Sequence, residues 1–247
     1  MSLAGAVHGL DGTILLMNGI LLVDKPSGWT SFDVVNKVRR MAETAGLNTT
    51  NKKRFPVGHT GTLDPLATGL LVLMLGTYTK KVSEYTKLDK TYDATMRLGQ
   101  TSTTGDEEGE KADVSDKRPT KEEIHIAMAR FEGDIMQTPP AFSAIKINGQ
   151  RAYKLAREGK APQLEPRPAH IERIILTKYD YPEVRFTVHV SSGTYIRSLV
   201  EDIGKQLGTG AYMSGLRRTR VGAFQLDNAI NMQELSPEVI QEHLIPR

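Results

Sequence analysis

Hydrophobic positions along the chain follow two periods. Tyr92, Ala94, Met96 and Leu98 alternate with polar residues, which puts them on one face of a strand. Val184, Phe186, Val188 and Val190 do the same, and 171–176 reads as a further strand. Residues 19–24 form a short apolar run closed by Lys25-Pro26-Ser27-Gly28, a strand followed by a turn. The helical period occurs at Val34, Val35, Val38 and Met41, behind a cap at Ser31 or Thr30. It recurs at Leu199, Val200, Ile203 and Leu207, in a helix opened by Gly193-Thr194-Tyr195. Thr120 and Glu123 make a capping-box pattern ahead of Ile124, Met128 and Phe131. Asn148-Gly149, after 144–147, predicts a tight turn, and 152–158 a short helix stopped at Gly159. The polar stretches 46–62 and 99–118 are expected to be loops. The basic segment 216–220 precedes a last short strand, and the tail after Asn228 has room for one helix.

These elements interleave irregularly. They predict an α/β fold of the α+β type, with a mixed, mainly antiparallel sheet flanked by helices rather than a doubly wound parallel sheet. The run from Leu70 to Leu75 is six residues long, and a bilayer helix needs about 20, so no membrane span is expected. The N-terminus has no cationic stretch ahead of its apolar residues and makes a poor signal peptide. Met17-Asn18-Gly19-Ile20 looks like a natural start, so 1–18 reads as an extension or leader, 19–228 as the main domain and 229–247 as a short tail.

Composition narrows the chemistry. The 247 residues are 39% hydrophobic and 25% charged, enough for one sizeable core. The absence of cysteine excludes disulfides, thiolate metal sites and a cysteine nucleophile. It fits a reducing compartment, and a cytoplasmic location is expected. The six histidines are scattered with no pair at helical spacing, so no metal is expected. No phosphate-binding glycine-lysine loop or serine elbow is present. Gly208-Thr209-Gly210 has Met213 where a dinucleotide fingerprint needs its third glycine. Net charge is +3, unevenly spread. Residues 100–134 hold ten acidic and five basic residues; the rest of the chain, with 27 basic and 19 acidic residues, carries +8. Such a basic remainder suits a polyanionic partner.

Asp64-Pro65 follows the glycine-rich segment Gly58-His59-Thr60-Gly61. Asp at the cap and Pro at the first position is a helix-start pattern. A carboxylate held in a tight loop can equally serve as a nucleophile. Tyr92, Arg197, His59 and Lys80 each have an ordinary structural reading as well.

Taken together and in order, the motifs resemble the TruB family of tRNA pseudouridine synthases. The segments that carry the resemblance are 57–69, Gly19-Ile20-Leu21-Leu22-Val23-Asp24-Lys25-Pro26 and Lys90-Thr91-Tyr92-Asp93-Ala94. Pro139-Pro140-Ala141-Phe142-Ser143-Ala144-Ile145-Lys146, Gly193-Thr194-Tyr195-Ile196-Arg197-Ser198-Leu199 and Leu216-Arg217-Arg218 complete it. The resemblance implies a pseudouridine synthase fold with an active-site cleft across the sheet. It also implies isomerisation of uridine to pseudouridine at position 55 of the tRNA TΨC loop, without cofactor. In that family pattern Asp64 is the nucleophile, and Arg197 pairs with it. Tyr92 stacks on the flipped base, and His59 enters the RNA loop. Tyr195 and Leu216 contact the base or its neighbours, while Lys80 and Lys25 serve the phosphates or the site lining. The partner is then tRNA, through its TΨC stem-loop, and a monomer is expected. The acidic window should avoid the RNA. Fewer than 20 residues follow Asn228, so the C-terminal PUA domain common in bacterial members is not expected. A tRNA-folding helper that binds without catalysis is the competing expectation.

Overall fold

The computed structural model describes residues 17–45, 54–143, 145–147, 149–160 and 164–246. The first elements are β1 (Gly19–Lys25), α1 (Ser31–Thr44), β2 (Val57–His59), β3 (Thr68–Leu75), a 3-10 turn (Gly76–Lys81) and α2 (Val82–Thr86). Then come β4 (Lys90–Leu98), β5 (Gln100–Ser102), β6 (Lys111–Asp113), α3 (Lys121–Ala129), β7 (Gly133–Gln137), β8 (Lys146–Ile147), β9 (Gln150–Arg151) and α4 (Ala152–Arg157). The chain ends with β10 (Arg167–Asp180), β11 (Glu183–Val190), α5 (Ile196–Leu207), β12 (Ala211–Val221), β13 (Phe224–Gln225), β14 (Ile230–Asn231) and α6 (Pro237–Glu242). Two compact units result: Met1–Leu88 with Arg217–Arg247, and Asp89–Leu216.

In the first unit β1 and β3 pair antiparallel over their whole length, from Gly19 opposite Leu75 to Lys25 opposite Gly69. β14 lies parallel to β1, and the end of β12 parallel to β3. Side chains of β1 and β3 alternate between two apolar layers. Leu21, Val23, Leu71, Leu73 and Leu75 pack with Val34, Val35 and Val38 of α1 on one face. Ile20, Leu22, Leu70, Val72 and Met74 pack with Tyr78, Tyr85 and Phe224 on the other. Because both faces are covered, β3 reads as an unbroken apolar run rather than an alternating one. Thr30 caps α1 through a capping box with Asp33, which decides between the two predicted caps.

This burial also overturns the helix start expected at Asp64-Pro65. Residues 60–67 form a tip of bends joining β2 to β3, where the Ala67 N–H donates to the Asp64 carbonyl at 3.1 Å. A cap is worth about 1 kcal/mol. Six side chains, Leu70 to Leu75, are fully buried in β3, each worth about 1.5–3 kcal/mol. The strand therefore wins. Val57–His59, expected within a loop, is a strand because it pairs with 73–75 of β3.

In the second unit β4, β11, β10 and β7 are antiparallel neighbours. Tyr92, Ala94, Met96 and Leu98 are buried as their alternation predicted, as are Val184, Phe186, Val188 and Val190. α5 buries Leu199, Val200, Ile203 and Leu207, and ends at Gly208 in the left-handed region with φ of 70°. The capping box at Thr120 and Glu123 is present at α3. Two expectations change here. The acidic window contains the β5–β6 hairpin. The basic segment 216–220 belongs to β12 itself. The predicted tight turn is closed by pairing of Lys146 with Arg151 and Ile147 with Gln150; Ala144 and Asn148 lie outside the described residues. The sheet is mixed and mainly antiparallel, as expected.

Candidate active site

Asp64 sits half-buried at the tip between β2 and β3, in the first unit. Its neighbours are held from three directions. Ser31 Oγ donates to the Leu63 carbonyl at 3.0 Å and accepts the Leu63 N–H at 2.8 Å. The turn after β1 reaches the far side: Gly28 N–H donates to the Pro65 carbonyl at 2.9 Å. Arg218 donates from Nη2 to the Gly61 carbonyl and from Nε to the Leu70 carbonyl, at 3.0 and 2.8 Å.

Lys25 is fully buried at the end of β1. Its ammonium donates to the Trp29 carbonyl at 2.6 Å, to Pro26 at 2.9 Å and to Pro65 at 3.4 Å. Its pKa falls from 10.5 to about 8, chiefly through burial; the Asp64 charge opposes the shift and the Arg218 charge adds to it. Lys25 thus belongs to the setting of the Asp64 loop. His59 ends β2 and leads into the same tip. Desolvation, and then the Arg218 charge, hold its pKa below the ordinary range, so the neutral imidazole is favoured at pH 7. Its Nδ1 is buried and has no hydrogen-bond partner among the described residues. Lys80 is exposed on the 3-10 turn after β3.

Tyr92, Tyr195, Arg197 and Leu216 lie in the second unit. Tyr92 is a buried side chain of β4, opposite Val188 of β11. Tyr195 caps α5, where its backbone exchanges two bonds with the Gln137 amide, at 2.7 and 3.0 Å. In the first turn of the helix, Arg197 is 6% exposed. It donates to the carbonyls of Thr104 and Phe142, at 3.2 and 2.8 Å, and lies 3.5 Å from the Asp106 carboxylate. Leu216 is half-buried in β12.

Two buried charged residues escaped sequence reasoning. Asp106 belongs to the acidic window expected to avoid the substrate, yet it is buried against Arg197. Thr104 Oγ1 and the Glu108 N–H both donate to it. Nothing in a run of carboxylates marks which one turns inward. Arg218 was one of several basic residues in its segment, and only tertiary pairing shows it to be buried while Arg217 ion-pairs with Asp24 at 2.7 Å.

Residues 48–196 match the TruB family pseudouridylate synthase (N terminal domain). Residues 197–245 match the tRNA pseudouridylate synthase B C-terminal domain. The chain is 44% identical to tRNA pseudouridine synthase B of Gluconacetobacter diazotrophicus over 222 residues, covering 90% of this chain and 69% of that protein. With the Clostridium novyi protein of the same name identity is 45% over 229 residues, 93% of this chain and 76% of the relative. Among solved structures it is similar to a Cbf5-Nop10-Gar1 complex, with a TM-score of 0.71, 28% identity and coverage of 98% of this chain and 67% of the other. A second likeness is to an H/ACA RNP bound to a substrate RNA containing 2′-deoxyuridine, with a TM-score of 0.65 and 27% identity. The match covers 95% of this chain and 58% of that one.

Proposed function

The chain belongs to the TruB family of pseudouridylate synthases, and from that premise we propose that it converts uridine 55 in the TΨC loop of tRNA to pseudouridine, with Asp64 as the nucleophile. The observation that carries the reading is a carboxylate at a strand-to-strand tip whose flanking carbonyls are pinned by Arg218, Ser31 and the turn after β1. A nucleophile needs that fixed placement more than a solvated surface acid does.

The reaction is an isomerisation without net redox change. The N1–C1′ bond breaks, the uracil turns, C5 bonds to C1′, the proton on C5 leaves to solvent, and N1 takes one up, so substrate and product have the same composition. Asp64 attacks at C1′ or at C6; either route needs the anionic carboxylate. The base must leave its stack to be reached, which costs on the order of a few kcal/mol. Stacking on an aromatic ring returns about 1–3 kcal/mol, the role assigned to Tyr92. Arg197 serves the nucleophilic carboxylate, Tyr195 and Leu216 the base and its neighbours, and His59 enters the RNA loop. Lys80 supplies positive charge toward phosphates, and the buried Lys25 serves the site lining. Loop shape and splayed bases supply the recognition, and salt weakens binding. The enzyme acts as a monomer in the cytoplasm and needs no cofactor.

Pseudouridine mapping on an unmodified tRNA transcript tests this. Modification at position 55 alone is expected, lost when that uridine is replaced by cytidine. Modification elsewhere would overturn the assigned position. Tight binding with no modification would favour the folding-helper role.

A further inference from the structure

The second edge of β3 is shared by two strands. β2 occupies its end, with Val57 opposite Leu75 and His59 opposite Leu73. β12 runs parallel along its start, with Arg217 opposite Thr68 and Arg218 opposite Gly69. Between them the ladder continues only as far as Thr60, whose N–H donates to the Val72 carbonyl at 3.1 Å. The Leu70 carbonyl points to the same edge, two residues away. Its partner is the Arg218 side chain, through Nε at 2.8 Å, and Nη2 of the same guanidinium holds the Gly61 carbonyl at 3.0 Å. One planar group therefore spans both ends of the segment 61–70, with Asp64 between them.

Arg218 is 1% exposed, and no carboxylate lies within ion-pair distance of it among the described residues. Burying a cation against neutral carbonyls alone is expensive. An apolar residue would fill the space at less cost, but it could not hold two carbonyls at a set separation. The rigid fork of a guanidinium does. Gly69 serves the same closure. Its φ is 99°, and a Cβ there would run into the Arg218 carbonyl oxygen, so only glycine lets β12 come this close.

We propose that Arg218 is a positioning residue for pseudouridine formation: it brackets the loop and fixes where the Asp64 carboxylate stands, without touching substrate. This rests on Asp64 being the nucleophile. The test uses the full chain with Arg218→Lys, Arg218→Gln and Arg218→Ala. Each is assayed for kcat and KM on a TΨC stem-loop carrying 5-[3H]uridine, and for deuterium exchange in peptides covering 60–70 and α1. The lysine keeps the charge but cannot span both carbonyls. Its kcat is expected to fall about 100-fold, the scale of a misplaced reacting group, with KM within about twofold. Exchange should quicken in 60–70 and not in α1, and added guanidinium should restore part of the kcat of Arg218→Ala. Unchanged kcat and exchange in Arg218→Lys would overturn the proposal. So would equal loss of protection in α1, which would make Arg218 a support of the whole unit, or a rise in KM with kcat kept, which would make it an RNA contact. Should the parent protein release no tritium, the nucleophile reading fails, and the exchange comparison still decides whether Arg218 brackets the loop.

Discussion

Each unit buries one arginine, Arg197 being itself proposed for the reaction and Arg218 bracketing the loop of a residue that is, and the two are satisfied in different ways. Arg197, in the second unit, has a carboxylate at 3.5 Å as well as two carbonyls. Arg218, in the first, is held by two carbonyls and no carboxylate among the described residues. A carboxylate neutralises the cation and orients it. Carbonyls only orient, so the guanidinium charge stays uncompensated and adds to desolvation, the larger cause, in holding down the pKa values of Lys25 and His59. The lesson is that a buried arginine has two uses, one as half of an ion pair and one as a fixed geometric brace, and its partners tell them apart.

Four changes separate the two arginines by their energetic consequences. The largest effect is expected at the ion pair. Arg197→Met leaves Asp106 buried without this partner and should cost about 3–5 kcal/mol. Adding Asp106→Asn should recover much of that in a urea-unfolding double-mutant cycle. Gly69→Ala comes next: a left-handed φ and a collision with the Arg218 carbonyl should cost about 2–3 kcal/mol in the same measurement. Ser31→Ala, which removes both bonds to Leu63, should cost about 1–2 kcal/mol. The fourth is a pH effect. Folded Lys25 releases its proton near pH 8, whereas an ordinary lysine holds it to 10.5. Between those values the unfolded chain binds more protons, so stability gains with rising pH. Lys25→Met should flatten that gain, measured by denaturant midpoints across the window.

Local chemistry made much of this fold legible before any coordinates. The alternation through Tyr92–Leu98, the cap expected at Ser31 or Thr30 and the capping box at Thr120 are self-contained signals, satisfied within a few residues. The failures are non-local. Asp64-Pro65 carries a true helix-start pattern, but the Leu70–Leu75 run is claimed by a sheet covered on both faces. Nothing near Arg218 distinguishes it from Arg217 or Arg220; its burial depends on pairing with a strand about 150 residues earlier. Asp106 likewise turns inward to meet an arginine far along the chain, so a window expected to be a loop contains a buried acid. The candidate residues were named from family resemblance, while the brace behind the nucleophile became visible only from the paired strands.

Tritium release from 5-[3H]uridine in a TΨC stem-loop, comparing the parent chain with Asp64→Asn, tests the assignment of the nucleophile most directly. Release by the parent and none by the variant, with the stem-loop still bound by both, is the predicted result. Equal release by both proteins would contradict it.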